Sequence, residues 1–188
     1  MARLTLVRHG RPVIDPDLPA AAWTLDPDGL PSLRRLRLSL PDDAAWFSSP
    51  EPKATATAAV LTDRPVVRVD DLREAERPAM WFDDPAAFTA AVRRSIERPD
   101  VPALGGWEPV SATRSRVVAA VRGLLADQDP SDELVLVGHG TAWTLLVAEL
   151  TGRPPDLDGW EHMAMPDLAM LDVSASGAKP LVRDWAGG

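Results

Sequence analysis

Leu4-Thr5-Leu6-Val7-Arg8-His9-Gly10 is the stretch that decides the fold. Its aliphatic run is too short for a helix and stops at arginine, histidine and glycine, which is how a buried strand of a largely parallel sheet reads. The pattern returns as Leu134-Val135-Leu136-Val137-Gly138-His139-Gly140. Ligands of open α/β sheets gather in the crevice at the carboxyl ends of strands. Two histidines delivered to that edge are expected to face one small anion. The flanking glycines let backbone N–H groups come close to it.

Outward from these two runs, weaker strands are expected at 45–48, 66–69, 169–173 and 180–183. Between them lie helical patterns at 30–40, 51–61, 110–125 and 141–150, with Ser111 as cap of the third. Strands alternating with helices predict an α/β fold. The expected form is a three-layer α/β/α sandwich around a mostly parallel sheet of roughly six strands. Residues 11–31 hold five prolines and read as a long ordered loop. The stretch 76–107 breaks the alternation, with a short helix at 85–96 between proline-rich segments. It reads as a small inserted lid within a single domain spanning 1–188.

Composition narrows the function. The chain has 188 residues, 45% hydrophobic and 26% charged, enough for one domain with a substantial core. Its 20 basic and 28 acidic residues leave a net charge of −8, which argues against a nucleic-acid partner but allows a locally positive pocket. The absence of cysteine excludes disulfides, thiolate zinc sites and a thiolate nucleophile. No apolar window reaches the roughly 18 residues a membrane helix needs, and the amino-terminal run is too short for a signal peptide. A cytoplasmic location is the default expectation. The oligomeric state is left open, a homodimer being compatible with the sequence.

The chain has three histidines. His9 and His139 share the strand-end context; His162 lacks it and reads as an exposed loop residue. A zinc site would need a third ligand at suitable spacing, and Arg8 would repel a cation, so no metal and no cofactor are expected.

Leu6-Val7-Arg8-His9-Gly10 resembles the signature of the histidine phosphatase (phosphoglycerate mutase-like) superfamily, and Val137-Gly138-His139-Gly140 resembles its second histidine block. Phe47-Ser48-Ser49-Pro50 with Lys53-Ala54 and Thr57-Ala58, then Leu72-Arg73-Glu74, are similar to the blocks between. Gly105-Gly106-Trp107-Glu108 with Arg116 is a looser match. The resemblance implies that His9, neutral and with its far nitrogen bonded to a carbonyl, attacks phosphorus. Arg8, His139 and Gly140 would hold the phosphoryl oxygens, His139 best when protonated. Glu74 would be the acid, with Asp71 and Glu76 as rivals.

Lys53 departs from the family, which usually has arginine there. Lysine keeps the charge but loses the bidentate fork. It either reaches the phosphoryl group as a point charge or is an ordinary exposed lysine. The function implied is a metal-independent phosphomonoesterase working through a phosphohistidine on a small phosphorylated metabolite. The alternatives are a phosphoglycerate-mutase-type transferase and a weakly active or inactive phospho-ligand binder. Arg8-His9-Gly10-Arg11-Pro12 lacks the Glu-Ser/Thr and nearby Trp-Asn typical of the mutases. Arg11 is expected on the surface, and Trp81 and Trp107 either shape an apolar pocket or pack the core.

Overall fold

Six strands form one sheet in the computed structural model, which describes residues 2–78, 81–129, 132–174, 177–178 and 184–185. They are β1 (Ala2–Arg8), β2 (Ala45–Ser48), β3 (Val66–Arg68), β4 (Glu133–Gly138), β5 (Asp167–Ser174) and β6 (Gly177–Ala178), in the order β3-β2-β4-β1-β5-β6. β1, β4, β2 and β3 pair in parallel, whereas β5 runs antiparallel to β1 and β6 to β5. The sheet is therefore mostly parallel, as the sequence predicts. The strand expected at 180–183 lies outside the described residues; the sixth strand is the two-residue β6.

Helices α1 (Leu30–Arg37), α2 (Pro52–Leu61), α3 (Pro85–Glu97), α4 (Val110–Ala126), α5 (Gly140–Thr151) and α6 (Leu157–His162) complete the fold. Alternation along the central strands divides the core into two. Leu4, Leu6, Leu134 and Leu136 meet Val117 and Val121 of α4 and Trp143 and Leu146 of α5. Val7, Val135 and Val137 face the other way, onto Leu33 of α1 and Ala54, Ala58 and Leu61 of α2. Three layers result. Burying each such leucine contributes about 1.5–3 kcal/mol, so the two central strands anchor both cores.

Several boundaries differ from expectation for local reasons. The second helix starts at Pro52, whose ring suits a first helical position. Ser111 does not cap α4; Pro109 is the capping residue, without a side-chain bond. α6 was not foreseen, and its start is fixed by Asp156 accepting from the Gly159 N–H at 2.9 Å. Residues 11–31 fold back on themselves. Val13 N–H donates to the Thr24 carbonyl at 2.8 Å, and Asp26 N–H to the Arg11 carbonyl at 2.9 Å. In the stretch 76–107, Ala91, Val92 and Trp107 pack with Trp160 of α6 as a separate apolar cluster. Among the described residues no helix is long and apolar enough to cross a membrane.

Candidate active site

Register brings the two histidines together. β1 and β4 pair with Arg8 opposite Gly138, and His9 N–H donates to the Gly138 carbonyl at 2.9 Å, one step beyond the ladder. The His9 and His139 rings lie 5.1 Å apart between centroids, 62° from parallel. Trp143 ties the two strand ends: its indole N–H donates to the Val7 carbonyl at 2.9 Å. Its ring covers Gly138, where an added Cβ would fall 2.5 Å from Cζ2. β2 reaches the same edge, with Ser49 N–H donating to the Val137 carbonyl at 2.9 Å.

His9 is buried, its Nδ1 2.7 Å from the Gly10 carbonyl oxygen. A carbonyl only accepts, so Nδ1 carries the proton and Nε2 keeps its lone pair. Burial pushes the His9 pKa well below the usual imidazole value. His139, Lys53 and Arg8 push the same way, and the Gly10 carbonyl opposes them. The neutral tautomer predicted from sequence is the one this geometry favours.

His139 is bonded differently. Nε2 lies 2.7 Å from Ser49 Oγ and 3.4 Å from Glu51 Oε1, while Nδ1 is buried with no partner. Burial holds its pKa down to about 3, with Glu74 opposing and Lys53, Arg8 and Arg116 reinforcing. Its burial and the cations nearby thus disfavour the protonated form that would best hold a phosphoryl oxygen.

Arg8 donates through Nη1 to the Met163 carbonyl, and its buried Nε has no partner. It lies against Gly140, where a Cβ would come within 3.4 Å of Nε. Gly140 therefore makes room for the guanidinium.

Glu74 is gripped by the first turn of α5. Thr141 N–H donates to Oε2 at 3.0 Å and Ala142 N–H to Oε1 at 3.0 Å, and Ala75 N–H adds a 2.9 Å bond to Oε1. A helix amino terminus is a natural seat for an anion. Burial alone would raise the Glu74 pKa. Arg77, His139 and the backbone donors outweigh it and bring the carboxyl down to about 2. Arg116 fixes the local backbone, donating to the carbonyls of Arg73 at 2.7 Å and Glu74 at 2.7 Å while paired with Glu108. The rivals are elsewhere: Asp71 and Glu76 are exposed and pair with Arg73.

Lys53 is buried, which corrects the exposed-lysine alternative. Its ammonium pairs with Glu51 and donates to the Ala20 carbonyl at 2.6 Å. Glu51 also accepts the Glu74 N–H at 2.8 Å. Sequence reasoning missed Glu51, which as a lone acid before a helix carries no distinguishing signal. It missed Arg77 as well, which sits in the least patterned part of the chain. Arg77 donates to Thr141 Oγ1 at 3.0 Å, and its guanidinium carbon lies 4.9 Å from the centroid of the Trp107 ring. Arg11 is on the surface as expected, paired with Asp26; His162 is exposed as expected but ends α6 rather than lying in a loop. Among the described residues, no histidine and acid side chains are grouped so as to hold a metal ion.

The family model of the histidine phosphatase superfamily (branch 1) matches residues 4–186. No curated protein matches the sequence. Among solved structures, the chain is similar to a mutant phosphoserine phosphatase from Entamoeba histolytica in complex with phosphoserine. That match has TM-score 0.79 at 14% identity, over 99% of this chain and 98% of that one. A mycobacterial glucosyl-3-phosphoglycerate phosphatase matches with TM-score 0.70 at 22% identity, over 90% and 89% of the two chains. An Escherichia coli protein described as a putative alpha-ribazole-5'-P phosphatase matches with TM-score 0.72 at 22% identity, over 98% and 95%.

Proposed function

The chain belongs to the histidine phosphatase superfamily, and on that premise we propose that it is a metal-independent phosphomonoesterase acting on a small phosphorylated metabolite. The observation that carries this reading is the 2.7 Å bond from His9 Nδ1 to the Gly10 carbonyl. It leaves Nε2 with its lone pair in a site where Arg8 Nε and His139 Nδ1 are also buried without partners.

In the proposed reaction His9 Nε2 attacks phosphorus as the ester P–O bond breaks, and Glu74 gives its proton to the departing alkoxide. Water then attacks the phosphohistidine and passes a proton to Glu74. Phosphate leaves and His9 returns neutral. Arg8 Nε, His139 Nδ1, Gly140 and Lys53 surround the charge that builds on the phosphoryl oxygens. An arriving phosphoryl dianion raises the pKa of both His139 and Glu74 through its charge. Binding thereby shifts both the histidine that holds it and the acid that the first step needs toward their protonated forms.

A second reading, a weakly active phospho-ligand binder, draws support from Glu51, whose carboxylate offsets the charge of Lys53. One experiment separates the two. The purified protein is incubated with an aryl phosphate and a chelator from acidic to neutral pH, alongside His9→Ala. Phosphate release by the parent and its loss in the variant are expected. Release that survives His9→Ala, or that requires an added divalent cation, would overturn the proposal.

A further inference from the structure

Between the 11–31 segment and the 76–107 stretch lies a cavity of about 290 Å³, near the lower end of the size range of small-molecule sites. Its walls carry five aromatic rings, those of Trp23, Trp81, Phe82, Phe88 and Trp107. They come from the folded-back 11–31 segment on one side and the 76–107 stretch on the other. Two residues join this cavity to the candidate active site. Ala20 lines it and accepts the Lys53 ammonium through its carbonyl. Arg77 lines it and donates to Thr141, whose N–H holds Glu74. The cavity therefore adjoins the residues that hold Lys53 and Glu74, the side on which an ester's alcohol would depart.

We propose that this cavity seats the alcohol part of the substrate, and that this alcohol carries an apolar aromatic ring. The inference rests on the phosphomonoesterase reading. Ring partners dominate the wall: Phe82 lies 5.5 Å from Phe88 and 6.3 Å from Trp107 between centroids, in edge-on geometry that leaves ring faces for a flat guest. Arg77 stacks against Phe88 and Trp107, and its Nε, buried without a partner, is a donor in a residue of the same wall. With few polar groups in the wall, a sugar or glycerol would leave most of its hydroxyls without partners.

The test compares phosphate esters of primary alcohols with similar leaving-group basicity: naphthylethyl phosphate, propyl phosphate and glycerol phosphate. Binding of each to His9→Ala is measured in parallel by titration calorimetry. The expected kcat/KM for naphthylethyl phosphate exceeds that for propyl phosphate by about 10- to 100-fold. Trp23→Ala should shrink that ratio, as should the more exposed Trp81→Ala, which keeps the test valid if the first variant misfolds. Hydrolysis of all three esters at equal kcat/KM would overturn the aromatic-substrate inference and leave the phosphatase reading standing. No hydrolysis, with tighter binding of naphthylethyl phosphate to His9→Ala, would uphold the pocket and overturn the phosphatase reading. Neither hydrolysis nor preferential binding would overturn both.

Discussion

His9 and His139 end adjacent parallel strands in nearly the same local sequence, yet their surroundings differ. His9 spends its Nδ1 proton on the carbonyl of the next residue, so its partner is built into the strand exit. His139 points Nε2 at a hydroxyl on another element, Ser49, and leaves Nδ1 buried and unpartnered. The first arrangement fixes a lone pair, as a nucleophile requires. The second keeps a nitrogen in reserve for an incoming acceptor. On the proposed reading, similar strand ends give a nucleophile and a binder, and second neighbours rather than the motif assign the roles.

Substitution should separate the two histidines most sharply. We predict that His9→Ala lowers kcat/KM by at least about 10⁴-fold, because no covalent route remains. His139→Ala should cost about 10²- to 10³-fold, the loss of one transition-state donor. Steady-state kinetics on one ester checks both; equal losses would erase the distinction. Glu74→Gln is expected to cost about 10²-fold on an alkyl phosphate and much less on an activated aryl phosphate, whose leaving group needs no proton. A loss independent of leaving group would remove Glu74 from the acid's role.

The glycines beside the histidines extend the comparison to stability. A Cβ at Gly138 meets the fully buried Trp143 ring at 2.5 Å, so Gly138→Ala should cost about 2–3 kcal/mol. At Gly10 the nearest atom is the tip of the Leu25 side chain at 2.8 Å, which can turn aside. Gly10→Ala should cost about 1 kcal/mol or less. Urea denaturation of both variants measures the order, and the reverse order would contradict this packing.

These contrasts show what could be read from the chain. The aliphatic runs ending in Arg8-His9-Gly10 and Gly138-His139-Gly140 disclosed two central strands, and the mostly parallel sheet followed from their alternation with helices. Glu74 was named because it sits in a recognisable block. Glu51 and Arg77 meet partners distant in sequence, His139 and the Glu74 N–H for one, Thr141 and Trp107 for the other. Only folding reveals such neighbours. Lys53 was half legible: the motif gave its charge, but its burial depends on Ala20 and Glu51 closing over it.

A further difference concerns pH. Both histidines have pKa values depressed by burial, so the unfolded chain takes up protons below about pH 6.5 that the folded protein refuses. Stability is then lost as pH falls from about 6.5 toward 3, by up to about 1.4 kcal/mol per pH unit for each histidine. Glu74, depressed to about 2, stabilises above about pH 4.5 and loses that contribution only as pH falls from there toward 2. Chemical denaturation at pH 7.5 and 5.5 therefore isolates the histidines. His139→Ala should flatten the difference, and an unchanged difference would mean that His139 is not held neutral.

The central claim is that His9 carries the phosphoryl group while His139 only binds it. Rapid mixing with an aryl phosphate, an alkaline quench and peptide mass spectrometry tests this directly. The account predicts a phosphoryl adduct on the peptide containing His9 in the parent protein, absent from His9→Ala and still formed, more slowly, by His139→Ala. Turnover with the adduct on His139, or with no adduct under conditions where its formation outpaces its hydrolysis, would contradict it.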